Sequence, residues 1–284
     1  MNDLPFVKMQ GAGNDFVVLD GFRRLVRLTK TETRRLADRH FGVGADQILI
    51  LEKSRRADFR MRILNADGSE AEMCGNGIRC AALYAFDSKR VKKKEMTVET
   101  RAGVLRPVLL GENPEGFQVR VDMGEPVFET AKIPTRSGQS RVIDAEFQWK
   151  AGDGKPETSK ITCVSMGNPH CVIFVDDLAS APVEAWGSAI ETDPFFPKRT
   201  NVEFVQVQSP DRGRVRVWER GVGLTLACGT GACAVGVAGV LTGRFRRKTE
   251  LTLPGGTLTI EWAPDNHVFM TGPAAFVCEG KFSC

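Results

Sequence analysis

The sequence of 284 residues predicts an α+β fold made of two pseudo-symmetric homologous lobes. Three observations lead to this prediction. The chain has many short strand-like runs and few helical ones. A constant offset relates residues of its first half to residues of its second half. Two apolar helical runs each follow a Cys-Gly-x-Gly segment. Together, these three observations predict that each lobe is a mostly antiparallel β-structure wrapped around a central helix.

The offset between the halves is 154 residues. Since any insertion would break it, its persistence over more than sixty residues indicates a duplication. The match slips by about one residue after Gly77, where the first Cys-Gly-x-Gly segment ends. The sequence therefore predicts an N-terminal lobe at 1–126, with 274–284 as its candidate completion, and a C-terminal lobe at 127–273. The matched segments are Gly13-Asn14 with Gly167-Asn168, Gln47 with Asn201, Asn65 with Glu219, and Cys74-Gly75-Asn76-Gly77 with Cys228-Gly229-Thr230-Gly231.

The elements follow the same division. Each lobe carries an amphipathic helix after its first strand, one over Lys30–His40 and one beginning at Pro182. The polar segment Thr135–Lys160 is interpreted as a surface hairpin or loop without chemistry. Runs of β-branched and aromatic residues predict strands at Phe16–Leu19, Gln47–Leu51, Phe59–Leu64, Met96–Thr100, Phe117–Asp122, Cys171–Val175, Val202–Val207, Val215–Trp218, Leu251–Leu253, Leu258–Trp262 and Val268–Met270.

The two apolar runs, Ile78–Phe86 and Ala232–Leu241, lack a clean polar face, which predicts buried helices. A buried helix must still satisfy its first N–H groups, and the glycines there let an external group approach closely. Such an N-terminus attracts an anion. The same field is expected to lower the pKa of Cys74 and Cys228.

If the lobes face each other, both helix N-termini point into one cleft. A substrate carboxylate could then accept N–H bonds from Gly75, Asn76, Gly229 and Thr230, and its α-carbon would lie between two sulfur atoms. One thiolate would remove the α-proton and the other thiol would deliver a proton to the opposite face. No pyridoxal-phosphate lysine motif is evident, so the sequence predicts an epimerase that needs no cofactor.

Bulk properties exclude other classes. The net charge of +4 favours neither a nucleic-acid nor a membrane partner, and no apolar run reaches the length of a membrane span. No signal peptide is evident, so a cytoplasmic location is expected. Cysteine spacing does not suit a metal site. The remaining cysteines are interpreted as inert small hydrophobes or lack a chemical argument: Cys80, Cys163, Cys171, Cys233, Cys278 and Cys284.

These residues lie in motifs that resemble the diaminopimelate epimerase family over nearly the whole chain. The resemblance implies a homodimeric isomerase that interconverts LL- and meso-diaminopimelate for lysine and peptidoglycan precursor synthesis. The matching segments are Gly13–Val18, Phe41–Gln47, Asn65–Cys80, Met166–Cys171, Arg199–Phe204, Glu219–Gly221 and Ala227–Cys233.

By matching positions, the resemblance assigns Cys74 and Cys228 as the catalytic pair. Arg220 can hold a distal carboxylate through two hydrogen bonds, and Glu219 can neutralise a substrate ammonium. His170 is a candidate assisting residue. The residues implied in substrate binding are Asn14, Gln47, Asn65, Gly75, Asn76, Asn168, Asn201, Glu219, Arg220, Gly229 and Thr230.

Two alternatives stay open at this point. A two-cysteine racemase of proline or hydroxyproline would not need Arg220, because its substrate has no distal carboxylate. A non-catalytic binding protein could use the same anion site, with affinity for a ligand and no exchange of its α-proton.

Overall fold

The computed structural model describes residues 3–151 and 154–283. Contacts divide the chain into two units, the first comprising Met1–Asp122 with Thr271–Cys284 and the second comprising Met123–Met270. Within the described residues each unit combines a mixed β-sheet with two helices. The predicted α+β class is confirmed.

The first unit begins with a long strand that the sequence patterns did not predict. Its elements are β1 (Asp3–Gly11), β2 (Asn14–Asp20), α1 (Lys30–Ala37), β3 (Gln47–Glu52), β4 (Phe59–Asn65), β5 (Glu70–Ala71), α2 (Gly75–Asp87), β6 (Val98–Thr100), β7 (Gly103–Leu105), β8 (Val108–Asn113) and β9 (Gly116–Asp122).

The elements of the second unit are β10 (Ala145–Lys150), β11 (Pro156–Ser165), β12 (Pro169–Phe174), α3 (Val183–Glu191), β13 (Asn201–Ser209), β14 (Arg212–Glu219), β15 (Gly223–Thr225), α4 (Gly229–Leu241), β16 (Lys248–Leu253), β17 (Gly256–Trp262) and β18 (Val268–Ser283). The order from β12 to β17 repeats that from β2 to β7. The last strand starts in this unit, and its later part belongs to the first unit, where it pairs with β1.

Strand pairing is the same in both units. The pairs β2–β3 and β12–β13 are parallel, β3–β4 and β13–β14 are antiparallel, and β4–β6 and β14–β16 are parallel. The registers also match, since Phe16 lies opposite Gln47 and His170 opposite Asn201. The 154-residue offset holds through the ends of α2 and α4, and the one-residue slip falls between each helix and the strand after it.

Helices α2 and α4 are the central helices of their units. Helix α2 packs on β1, β2, β3, β4, β8 and β9, whereas α4 packs on β11, β12, β13, β16 and β17. Ten of the thirteen residues of either helix are buried, as their all-round apolar character predicts. Each has only thirteen residues, and none of the helices in the described parts of the chain is long and apolar enough to span a membrane.

Several predicted segments have other bounds in the structure, and two of them need a physical explanation. The first helix ends at Ala37 and not at His40, because Asp38 leaves helical geometry and its carboxylate accepts the backbone N–H groups of the next turn. The polar segment Thr135–Lys160 does contain a hairpin, formed by β10 and β11. It is not only a surface feature, since Phe147 and Trp149 are buried in the core of the second unit.

Candidate active site

Cys74 and Cys228 occupy the same structural position in the two units. Each is the N-cap residue of the central helix, with extended backbone at φ −142°, ψ 113° and φ −122°, ψ 113°. Each sulfur accepts the backbone N–H of the third helical residue, Gly77 or Gly231, at 3.4 Å. The sulfur thus takes the role that a serine or aspartate oxygen usually has at a helix N-terminus.

The third helical residue is a glycine in both units, but the space around it differs. A Cβ added at Gly231 would lie 2.7 Å from Glu203 Oε1 and 3.3 Å from Cys228 Sγ. At Gly77 the nearest atom would be the Cδ2 of Leu49 at 3.2 Å, which is the flexible end of an apolar side chain. The second unit therefore has the tighter packing beneath its cysteine.

We predict that Gly231→Ala destabilises the protein by about 1–3 kcal/mol, because Glu203 is fully buried and held by its own hydrogen bond. Gly77→Ala is the matched control and should stay within about 1 kcal/mol of wild type, since the helix propensity of alanine offsets its contact. Urea unfolding of both variants measures the difference. Equal losses would contradict this account of the packing.

In the first unit, Asn14 joins the cysteine to the substrate-binding candidates. Its Oδ1 accepts from Cys74 Sγ at 3.7 Å and from Asn76 Nδ2 at 3.4 Å. Its Nδ2 donates to Asp46 Oδ2 at 2.6 Å. The structure thus brings together Asn14, Cys74 and Asn76, and it identifies Asp46 as a residue that holds Asn14, a role that sequence reasoning missed.

Gln47 and Asn65 form a second polar pair in this unit. They face each other across β3 and β4, and Gln47 Nε2 donates to Asn65 Oδ1 at 2.8 Å. Asn65 Nδ2 in turn donates to Ser69 Oγ at 2.9 Å. The buried Oε1 of Gln47 has no hydrogen-bond partner among the described residues.

Asp15, next to Asn14, is a carboxylate in a group of ion pairs with Lys8 and Arg39. Burial raises the pKa of its carboxyl, but hydrogen bonds from Arg39 and Lys8 outweigh that effect and hold the pKa well below its usual range. Arg39 contacts Asp46 as well, at 2.7 Å. The carboxylate that orients Asn14 is therefore itself anchored by a cation.

In the second unit, Asn201 organises the segment that carries Glu219 and Arg220. Asn201 Nδ2 donates to the Pro169 carbonyl at 2.8 Å, and its Oδ1 accepts the backbone N–H of Arg220 at 3.0 Å. Glu219 Oε1 accepts from Thr225 Oγ1 at 2.6 Å. The guanidinium of Arg220 is exposed and donates only to a backbone carbonyl, that of Lys198, in the described contacts.

The electrostatic surroundings of Cys228 differ from the expectation. Burial raises the pKa of its thiol well above the usual range, and the carboxylates of Glu219 and Glu203 act in the same direction. Hydrogen bonds from Thr230 and Gly231 oppose these effects without cancelling them. The prediction that the helix N-terminus lowers the pKa of this cysteine is therefore wrong, because desolvation and nearby carboxylates dominate.

We predict that Cys228 in the substrate-free protein reacts with iodoacetamide only at a pH well above the thiol's ordinary pKa, since a raised pKa delays formation of the thiolate. Glu219→Gln should move the pH midpoint of alkylation downward, because it removes the larger carboxylate effect. Peptide mapping by mass spectrometry at a series of pH values follows the site. A midpoint below that of the urea-unfolded chain would contradict the prediction.

The residue that sequence reasoning missed most clearly is Glu203. It is fully buried in β13, and its Oε1 lies 2.7 Å from Nδ1 of the equally buried His170. His170 Nε2 lies 3.0 Å from Asn168 Oδ1. A signal was present, because Glu203 interrupts an apolar strand at the position that Leu49 takes in the first half.

Comparison with known proteins gives the family. The family model described as diaminopimelate epimerase matches residues 6–129 and 162–277. The diaminopimelate epimerase of Moorella thermoacetica is 50% identical over 281 residues, which cover 98% of this chain and 99% of that protein. The chain belongs to the diaminopimelate epimerase family. A member from Methanococcus maripaludis is 45% identical over 279 residues, covering 98% of this chain and 99% of that one.

Solved structures support the fold at low sequence identity. A phenazine biosynthesis protein of the PhzF family from Bacillus anthracis has a TM-score of 0.69 at 17% identity, with both chains fully covered. A hydroxyproline epimerase from Agrobacterium vitis, with trans-4-hydroxy-L-proline bound, has a TM-score of 0.69 at 16% identity and covers 99% of this chain and 91% of that one. These similarities concern the fold alone.

The two spans that match the diaminopimelate epimerase family contain every predicted site residue. Within the first unit, hydrogen bonds join Asn14 to Cys74 and Asn76, and Gln47 to Asn65. Within the second unit, they join Asn168 to His170, and Asn201 to the backbone of Arg220. Gly75 and Gly229 are the first residues of α2 and α4, as expected for donors to an anion. Among the described residues, no three His, Cys, Asp or Glu side chains cluster as metal ligands would.

Proposed function

We propose that the chain interconverts LL- and meso-diaminopimelate, with Cys74 and Cys228 as the two acid/base groups. One observation supports this most strongly: in a member of this family, each repeat places a cysteine as the N-cap of its buried central helix. A single such cysteine is usually structural. Two equivalent ones match a reaction that needs one group on each face of a carbon.

The proposed reaction breaks the α-carbon–hydrogen bond on one face and forms a new one on the other. The thiolate of one cysteine takes the α-proton, and the electron pair stays on the substrate as a carbanion conjugated with its carboxylate. The thiol of the other cysteine then donates its proton to the opposite face. The backbone N–H groups of Gly75, Asn76, Gly229 and Thr230 would stabilise the charge on the carboxylate.

The raised pKa of Cys228 fits the proton-donating step of this reaction. A thiol that keeps its proton at neutral pH is a suitable donor in the direction in which Cys74 starts as the thiolate. After one turnover the protonation states are exchanged, and the reverse reaction begins from that state. The same pair therefore serves both directions.

The remaining candidates would bind the rest of the substrate. Glu219 would face an ammonium group and Arg220 a distal carboxylate, since these charges complement the second amino-acid end of diaminopimelate. The repeat equivalent of Glu219 is the uncharged Asn65. That asymmetry favours a substrate whose reacting and distal ends are treated differently. Neutral contacts would come from Asn14, Gln47, Asn65, Asn168 and Asn201.

The experiment is incubation of the purified protein with LL-diaminopimelate in D₂O and no added cofactor. We expect meso-diaminopimelate carrying deuterium at the inverted α-carbon, because the donated proton comes from a thiol that exchanges with solvent. Turnover of proline or hydroxyproline without turnover of diaminopimelate would reject the substrate. Binding without α-proton exchange would reject catalysis.

The setting of this reaction is part of the proposal. The family resemblance supports a cytoplasmic homodimer that acts in lysine and peptidoglycan precursor synthesis. Light scattering should then give twice the 31.2 kDa mass of one chain. A mass equal to that of one chain at micromolar concentration would reject the dimer.

A further inference from the structure

Glu191, the last residue of α3, is buried and accepts hydrogen bonds from three donors. Its Oε1 accepts the backbone N–H of Gly221 at 2.9 Å, and its Oε2 accepts the indole N–H of Trp218 at 2.7 Å. Arg199 Nη1 also donates to Oε1, at 3.3 Å. All three donors are N–H groups, which cannot accept, so the direction of each hydrogen bond follows from the donor alone.

A glycine one turn earlier in α3 brings Glu191 to these donors. A Cβ added at Gly187 would lie 2.6 Å from the Cβ and Cγ of Trp218, so a side chain there would displace the indole. Glu191 follows four residues later, on the same face of the helix. Its carboxyl group therefore reaches both the indole N–H and the turn after β14.

The turn after β14 carries Arg220, and side chains from two other elements hold its backbone. Asn201, at the start of β13, accepts the N–H of Arg220, and Glu191, at the end of α3, accepts the N–H of Gly221. The guanidinium of Arg220 is exposed. The direction in which this side chain extends thus depends on how its backbone is held.

The first unit contains the same turn. There the N–H of Gly68 donates to the Asn65 carbonyl at 2.9 Å. The equivalent hydrogen bond of the second unit joins the N–H of Val222 to the Glu219 carbonyl at 3.0 Å. The backbone of the turn therefore forms in both units.

The two turns differ in the residue that they carry and in the side chain that faces them. At the offset of 154 residues, the equivalent of Arg220 is Ala66, and the equivalent of Glu191 is Ala37, the last residue of α1. The buried carboxyl group is thus present where the turn carries an arginine, and alanine takes its place where the turn carries none. This difference favours a role in placing the arginine over a role in forming the turn.

We propose that Glu191 is a positioning residue for Arg220. By holding the N–H of Gly221, it sets the direction in which the guanidinium extends toward the distal carboxylate of the substrate. Glu191 itself does not contact the substrate in this account. The contact between Arg220 and the substrate rests on the proposed function, whereas the order of the turn in the substrate-free protein does not.

The first test is amide hydrogen exchange in the substrate-free protein, followed by ¹⁵N NMR. Gly221 is exposed, so its amide should exchange at least about tenfold faster in Glu191→Ala than in the wild type. Glu191→Asp is the second variant, because it keeps the carboxyl group but shortens the side chain by one methylene, and it should also speed this exchange. The Gly68 amide of the equivalent turn is the internal control and should exchange at the wild-type rate in both variants.

Two outcomes of the exchange experiment would overturn the proposal. One is exchange of the Gly221 amide at the same rate in the wild type and in both variants. The other is an equal acceleration at Gly68, which would show that Glu191 stabilises the protein in general. Neither outcome depends on turnover.

The second test is steady-state kinetics with diaminopimelate. Glu191→Ala and Glu191→Asp should each raise KM by about 5- to 30-fold, because the carboxylate-binding arginine is less well placed. Their kcat should change by less than about threefold, since both cysteines are retained. Glu184→Ala, which removes an exposed carboxyl group from the first turn of the same helix, is the matched control and should keep KM within about twofold.

A double variant separates positioning of Arg220 from any other effect of Glu191. In an Arg220→Ala background, Glu191→Ala should raise KM by less than a further twofold or so, because the residue that it positions is absent. Fully additive effects, or loss of kcat at unchanged KM in Glu191→Ala, would show that Glu191 acts by another route, and the proposal would be wrong. Absence of turnover in the wild type would instead reject the proposed function, and the exchange experiment would still decide whether Glu191 orders the turn.

Discussion

Alanine at Cys74 or at Cys228 is expected to abolish net inversion of the α-carbon, with loss of at least about 10²- to 10⁴-fold in kcat from removal of one acid/base group. Each sulfur is the N-cap of a buried helix, so the alanine variant loses the thiol at that position. Water cannot readily replace the Cys228 thiol, since that residue is only 7% exposed. The measurement is formation of meso- from LL-diaminopimelate by each purified variant.

Measuring deuterium exchange distinguishes a mechanism with two acid/base groups from one in which a single group serves both faces. In D₂O, a variant with one remaining cysteine can still remove and return a proton on one face. Each variant should therefore exchange the α-proton of only one configuration of the reacting carbon and should not invert it. The configuration that Cys74→Ala exchanges should be the opposite of the one that Cys228→Ala exchanges. Near-normal inversion by either variant, or exchange of the same centre by both, would show that one group serves both faces.

Cysteines within the same helices provide the controls. Cys80 lies six residues after Cys74 in α2, and burial raises the pKa of its thiol to about 12. Cys233 lies five residues after Cys228 in α4 and is equally inaccessible. Cys80→Ala and Cys233→Ala should keep kcat within about threefold of wild type, because only small apolar volume is lost. Similar losses in these controls would indicate a general effect on the helices.

The sequence could predict the position of the cysteines because the relevant chemistry is local. A Cys-Gly-x-Gly segment before an apolar run defines a helix N-terminus within a few residues, and the structure has both helices starting there. The constant offset also predicted features that are not local, since a duplication without insertions must repeat the register of the paired strands. Phe16 opposite Gln47 and His170 opposite Asn201 show this repetition.

Contacts between distant segments could not be predicted in the same way. Glu203 and His170 are 33 residues apart, and only their parallel strands make them neighbours. Asp46 reaches Asn14 across a similar separation. The pKa of Cys228 depends on how completely it is buried and on carboxylates from two strands, so the local helix field alone gave the wrong direction.

Arg220→Ala is expected to lower kcat/KM for diaminopimelate by about 30- to 1000-fold, since two charge-assisted hydrogen bonds to a carboxylate contribute about 2–4 kcal/mol. Asn201 Oδ1 holds the backbone N–H of Arg220, which fixes the base of the side chain while its guanidinium stays exposed. Arg220→Lys should recover only part of the loss, because an ammonium cannot form the planar two-bond contact. Initial rates over a range of substrate concentrations measure each variant.

The distal carboxylate is what separates this substrate from proline, so the Arg220 variants test specificity as well as affinity. Arg212, at the start of the strand that ends just before Arg220, pairs with exposed Glu250 and provides the control. Arg212→Ala should leave kcat/KM within about twofold, because an exposed ion pair contributes little. If Arg220→Ala also retained wild-type kcat/KM, the second charged end of the substrate would have no anchor at this residue. A substrate without a distal carboxylate would then explain the site better than diaminopimelate does.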